Sequence, residues 1–221
     1  MPFAAPRVDD LPDTFPVFPL PGALLLPRGR LPLNIFEPRY LAMTEDALAA
    51  GRLLGMIQPD TQRPRGAAGP GLYRVGCLGR ISAFSETEDG RYLITLTGLI
   101  RFAVIEELAM RRGYRRVRAA LADFAADLAA PPAAPVCDRA ALLGDLRGYF
   151  ARQGIEANWE AIGGMAEDTL ITTLCMACPF EAAEKQALLE APSEADRAAA
   201  LRALLAIDAY AGPDSGRPRA S

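Results

Sequence analysis

The chain has 221 residues, 51 % of them apolar, a net charge of −3, no histidine and a single lysine, Lys185. That is enough apolar chain for a sizeable core, too apolar for a disordered polymer, and no apolar run approaches the roughly 20 residues that span a bilayer. The missing histidine excludes Ser-His and Cys-His nucleophiles and HExxH zinc sites, and the lack of a GxxxxGK excludes a P-loop ATPase.

Charge is unevenly spread. Residues 1–120 hold 16 Arg against 12 Asp and Glu, whereas residues 121–221 hold 8 basic against 15 acidic side chains. A shift from +4 to −7 points to two structural units. The first ten residues, "MPFAAPRVDD", carry no basic stretch ahead of a long apolar one, so the expected location is the cytoplasm and the four cysteines are expected as thiols.

In chain order, residues 1–13 read as a flexible leader. "PVFPL" and "RLPLNIF" follow as short strands with prolines at their edges, which ladders tolerate at edges, starts and bulges. Glu37 to Ala50 reads as a helix, with Pro38 at the first helical position and Gly51 at its end. "RLLGMIQ" is a strand, Thr61 to Gly71 a Gly- and Pro-rich loop, and "LYRVGCLGRISAFSE" and "RYLITLTGLIRFAVIEEL" are long β segments joined through an Asp89-Gly90 turn. In "YRRVRAALADF" Val117, Ala119 and Leu121 alternate with Arg116 and Arg118, the period of a strand with one buried face. Residues 14–124 therefore predict a small β barrel.

Residues 125–137 are a Pro- and Ala-rich connector, after which the period becomes helical. Leu142, Leu143, Leu146, Tyr149 and Phe150 form a stripe between a cap at Asp138 and a stop at Gly154. Leu170, Ile171, Leu174, Cys175 and Cys178 form another, stopped by Pro179. "EAAEKQALLEA" is a third helix. Ser193 with Asp196 caps a fourth that carries Leu201, Leu204 and Leu205. Residues 138–211 thus predict a helical bundle and 212–221 a disordered tail. The expected fold class is α+β, a barrel followed by a bundle.

Few groups offer chemistry. Lys185 reads as part of a solvated helix face. Cys175 and Cys178 form a CxxC, but at a helix carboxyl end, where the dipole disfavours a thiolate, so buried packing is expected over redox chemistry. Cys77 and Cys137 make a poor second pair for a metal, and no metal or cofactor is expected. "RRGYRRVR", with Arg115, Arg116 and Arg118, is the densest basic stretch. It reads as an exposed strand face or, as the second hypothesis, an RNA-binding strip.

Three motifs in order, "FPLPGALLLPRGRLPLNIFEPRY", "VGCLGRI" and "DGRYLITLTGLIRF", closely resemble the amino-terminal substrate-recognition domain of Lon proteases over roughly residues 14–211. The resemblance implies a PUA-like barrel followed by a helical bundle, and a role in binding unfolded or degron-bearing polypeptides. No ATPase or protease motif accompanies it, so it implies a stand-alone, non-enzymatic member. A separate ATP-dependent protease is left open as a partner, and no membrane partner is implied. One departure is Asn34, where the family commonly has histidine. The leading expectation is a protein-binding module with an apolar groove between barrel and bundle. Its candidate contacts are Leu25, Leu26, Phe36, Arg39, Tyr40, Phe84 and Trp159, each of which packing alone could also explain. Glu37 and Arg39 are expected to brace the corner before the first helix by hydrogen bonds to neighbouring loops.

Overall fold

The computed structural model describes residues 7–66, 68–131 and 134–207. Its organising element is β7 (Tyr92–Arg111), 20 residues long. Around it lie β1 (Thr14–Pro19), β2 (Arg30–Ile35), β3 (Leu53–Ile57), the two-residue strands β4 (Pro59–Asp60) and β5 (Gly71–Leu72), β6 (Val75–Glu86) and β8 (Tyr114–Ala120). One edge of β7 takes β6. The other takes β2 over Tyr92–Thr97 and then β8 over Ala103–Arg111. The large sheet runs β2-β7-β6-β3-β1-β8, and the β7–β8 pairing closes it into a barrel with β2 left outside as an edge strand. Register shifts at Leu78/Gly79, Ile81/Ala83 and Val104/Glu106 supply the bends that let so long a strand serve both halves of the ring.

The prolines are placed as ladder chemistry requires. β1 is not an edge strand, contrary to the expectation for the proline-rich segments. It pairs with β8 through Thr14–Val17 and with β3 through Val17–Pro19. Pro16 and Pro19 thus fall where only one side of the strand is paired, and Pro32 lies in the edge strand β2. At the β6–β7 turn Gly90 takes φ +78, the positive value that the Asp89-Gly90 pair predicts.

The helices are α1 (Pro38–Ala49), α2 (Arg139–Gln153), α3 (Trp159–Gly164), α4 (Glu167–Ala177), α5 (Ala182–Glu190) and α6 (Glu194–Ile207). Asp138 Oδ1 accepts from the Ala141 amide at 3.0 Å, and Gly154 closes α2 with φ +66. Ser193 Oγ accepts from the Asp196 amide at 3.1 Å at the start of α6. Helix α3 has no counterpart in the periodicity. It is six residues long, less than two turns, and is set by its Asn158 cap, which accepts from the Ala161 amide at 3.0 Å.

Two hydrophobic clusters result. Phe15, Val17, Leu78, Ile100, Phe102 and Val117 fill the barrel, with Phe15 and Phe102 edge-to-face at 5.0 Å. Leu11, inside the leader expected to be flexible, joins this cluster behind a short 3-10 turn at Val8–Asp10. The second cluster lies outside the barrel, where α1 and the bundle cover the sheet. The loop Leu24–Leu26 is its wedge, with all three leucines fully buried. This loop crosses β7 at Gly98, whose amide donates to Gly29 O at 2.9 Å and whose carbonyl accepts from the Arg28 amide at 2.8 Å. A Cβ on Gly98 would sit far inside van der Waals contact with the Leu26 carbonyl.

Polar struts cross the same seam. Arg101 of β7 is buried and saturated. Its Nε and Nη2 donate to Asp127 at 2.9 Å each, and its Nη1 to the carbonyls of Leu189 and Ala191 at 3.2 and 2.6 Å. Asp127 lies in a 3-10 segment, Ala122–Leu128, whose Phe124 ring sits 5.0 Å from the Arg101 guanidinium. Gln58 Nε2 reaches Ala182 O at 2.9 Å, Gln186 Nε2 reaches Val75 O at 3.0 Å, and Lys185 Nζ donates to Gly22 O at 2.7 Å. Lys185 is therefore buried rather than on a solvated face, and burial lowers its pKa.

Two substitutions test this seam by chemical denaturation. Gly98→Ala is expected to cost about 3 kcal/mol, because the Leu26 backbone cannot retreat from the core. Arg101→Ala is expected to cost about 3–5 kcal/mol, since it strands a buried carboxylate at Asp127.

Candidate functional site

The residues singled out by sequence divide sharply on burial. Leu25 and Leu26 are core, so the proline-rich loop offers no leucine to a partner. Tyr40 is buried too, its ring 4.3 Å from that of Phe18. Trp159 is half-buried at the start of α3, against Phe150 at 5.7 Å and under the Arg147 guanidinium at 5.2 Å. Glu37 is half-buried and Arg39 exposed, and they pair with each other at 2.7 Å instead of bracing neighbouring loops.

Phe36 and Phe84 do reach solvent, at 60 % and 42 % exposure, and Leu93, which sequence reasoning passed over, is 46 % exposed. All three lie toward the hairpin end of the β2-β7-β6 strands, Phe84 on the side of Tyr92 and Ile94 and Leu93 on the opposite side. Register places Leu33, Ile94 and Phe84 in one row across these strands and Asn34, Leu93 and Ser85 in the next. Phe84 stacks edge-on against Tyr92 at 5.1 Å, and the Arg91 guanidinium sits 6.0 Å from the Phe36 ring. Leu93 carried a signal in its sequence, as a large apolar side chain sharing the parity of Thr95 and Thr97.

Two clefts flank β2. The first, about 480 Å³, is lined by Pro32, Leu33, Asn34, Phe84, Leu93 and Ile94. The second, about 340 Å³, runs between β2 and α4 and is lined by Gly29, Leu31, Pro32, Thr172, Thr173 and Met176. They meet at Pro32, and among the described residues no strand covers the outer edge of β2. The expected groove between barrel and bundle thus corresponds to the β2–α4 cleft. Its walls come from residues other than those named in advance. Met176 and Thr172 face it from a helix whose opposite side is core.

The basic strip does not form as a free surface. Arg115 is only 7 % exposed. It is bound by Glu107 at 2.6 Å and by Pro70 O at 2.7 Å. Arg118 is held by Glu106 at 2.8 Å, and Arg116 is half-buried. Guanidiniums neutralised by carboxylates on β7 offer little to phosphate, and the RNA reading loses its footing.

The CxxC is equally inert. Cys175 and Cys178 are buried, and desolvation pushes their thiols up to about 12 and about 11, and Cys77 well above its ordinary value. Among the described residues no three His, Cys, Asp or Glu side chains gather as a metal site, and no helix is long and apolar enough to cross a membrane. Thiol labelling of the native protein at pH 8 is expected to modify the half-buried Cys137 first and the other three only on unfolding. Rapid labelling of Cys175 or Cys178 would restore the redox reading.

Comparison with known proteins sets this geometry in context. The family described as the ATP-dependent protease La (LON) substrate-binding domain matches residues 14–206. Lon protease 2 of Myxococcus xanthus is 30 % identical over 113 residues, half of this chain and 13 % of the relative. Lon protease 2 of Sorangium cellulosum is 32 % identical over 110 residues, again 13 % of its length. Among solved structures, the Lon N-terminal domain protein from Xanthomonas campestris superposes with a TM-score of 0.55 at 22 % identity, covering 87 % of this chain and 97 % of that one. The N-terminal domain of the Mycobacterium avium complex Lon protease superposes at 0.59 with 17 % identity, covering 87 % and 98 %.

Proposed function

The chain belongs to the Lon substrate-binding domain family, and from that premise we propose that it recognises unfolded or degron-bearing polypeptides without transforming them. The observation that carries this reading is the pair of apolar clefts meeting at Pro32, beside a free strand edge and three exposed apolar side chains, Phe36, Phe84 and Leu93. Pro32, which has no amide hydrogen, and the exposed Arg30 blunt the edge against indiscriminate strand addition. The clefts to either side take apolar side chains of an extended chain, and large rings at the rim supply contact area at low entropic cost.

Such a binder needs a catalytic partner, and a separate ATP-dependent protease is the class that fits. The four free thiols are in keeping with a cytoplasmic setting.

Fluorescence anisotropy with a carboxymethylated, permanently unfolded polypeptide tests the reading. Phe36→Ser and Phe84→Ser are each expected to weaken binding about ten-fold while leaving the melting temperature within a degree or two. Affinity should change little between 50 and 200 mM salt, unlike that of a phosphate binder. Absence of binding by the unaltered protein, or equal binding by both variants, would overturn it.

A further inference from the structure

On the side of the β2-β7-β6 strands that carries Leu93, register sets Arg30 of β2, Thr97 of β7 and Arg80 of β6 in one row. Strand spacing puts the two arginines about 10 Å apart, one on each side of β7. Both are exposed, and among the described residues neither has a carboxylate within ion-pair distance. By contrast, Arg63, Arg91, Arg111, Arg112 and Arg118 each hold a carboxylate at 3.2 Å or closer. The two rows toward the hairpin, Pro32 with Thr95 and then Asn34 with Leu93, hold no acidic side chain. Glu86 falls on the opposite side, in register with Tyr92. Asp168 shares the β2–α4 cleft with Arg30 but makes no ion pair with it, and sits in the first turn of α4, where the helix dipole offsets its charge. The hydroxyls are committed: Thr97 Oγ1 donates to Ser82 Oγ at 2.9 Å, and Ser82 Oγ to Thr95 O at 3.1 Å. One solvent-facing strip thus runs from an apolar end at Leu93 to a pair of uncompensated positive charges flanking Thr97.

We propose that this strip selects, among polypeptide clients, extended segments in which an Asp or Glu stands four residues from a large apolar side chain. This rests on the polypeptide-binding reading and narrows its substrate class. Leu93 and Thr97 are four residues apart on one strand, about 13 Å. In an extended client the same separation returns two side chains to one face. The apolar side chain enters the cleft lined by Pro32 and Leu93, and the carboxylate comes to rest over Thr97, between Arg30 and Arg80. Charge complementarity sets the second group. Two guanidiniums converge on one carboxylate, and without an anion between them they only repel each other. The apolar end of the strip favours a polypeptide over a nucleic acid, whose phosphates recur along its whole length and would fall on Leu93 as well.

Competition against the labelled carboxymethylated polypeptide tests this with the full chain. The competitors are short Ser-rich peptides with one Phe and, four residues away, either Glu or Gln. Each is made in both orders, because a client can lie either way along the strip. In one order or the other, the Glu peptide is expected to compete about five-fold better than its Gln counterpart. That ratio should fall to about two-fold or less in Arg80→Gln and in Arg30→Gln, both at exposed positions where the melting temperature should hold. It should persist in Arg118→Gln, which makes the same change in net charge elsewhere on the barrel. A Glu three residues from the Phe points to the other face and should gain no advantage. A ratio near one in both orders, an equal ratio at the three-residue spacing, or a ratio that survives both arginine substitutions would overturn the proposal while leaving polypeptide binding intact. Failure of the unaltered protein to bind the labelled polypeptide at all would instead sink the underlying reading, and this inference with it.

Discussion

The barrel and the bundle are held in one arrangement by Arg101. It projects from β7 through the seam, grips Asp127 with two nitrogens and spends its third on the carbonyls that end α5. Buried ion pairs add little net stability by themselves, because desolvation offsets attraction. Their force lies in the cost of every arrangement that separates them. Any sliding of the bundle across the sheet would leave a guanidinium, a carboxylate and two helix-end carbonyls unpaired in a dry interior. The strut therefore specifies the relative placement of two units whose apolar surfaces could pack in several ways.

The leucine loop works with that strut. Leu24, Leu25 and Leu26 fill the space between sheet and helices, and Gly98 lets their backbone approach β7 closely enough to hydrogen-bond on both sides. The same crossing orients the chain that follows, so that β2 emerges as an outer strand alongside α4. The clefts at Pro32 are a consequence of this packing. β2 is spliced onto β7 by the wedge, and α4 runs beside it without covering its edge.

The proposed polypeptide recognition is compatible with the use the described titratable groups are put to. Every strongly perturbed thiol is pushed toward the unreactive form by burial, and the one lysine donates to a backbone carbonyl. Side chains that would carry proton chemistry elsewhere are here employed in cohesion, while the rings of Phe36 and Phe84 stay partly in solvent.

Local physics in the sequence determined most of the elements by itself. Alternation at Val117, Ala119 and Leu121, the turn at Asp89-Gly90, and the caps at Asp138 and Ser193 each act within a few residues, and each stands where its pattern predicts. The three motifs likewise carried the family. What only the tertiary structure decided is which apolar and charged side chains remain available. Leu25 and Phe36 look equally exposed or equally buried along the chain, but one lies under the bundle and the other at a sheet tip. Arg115 reads as a charge on an exposed strand face, yet it is consumed by Glu107. Burial and pairing depend on partners eight to a hundred residues away, and no periodicity within a strand or helix encodes them.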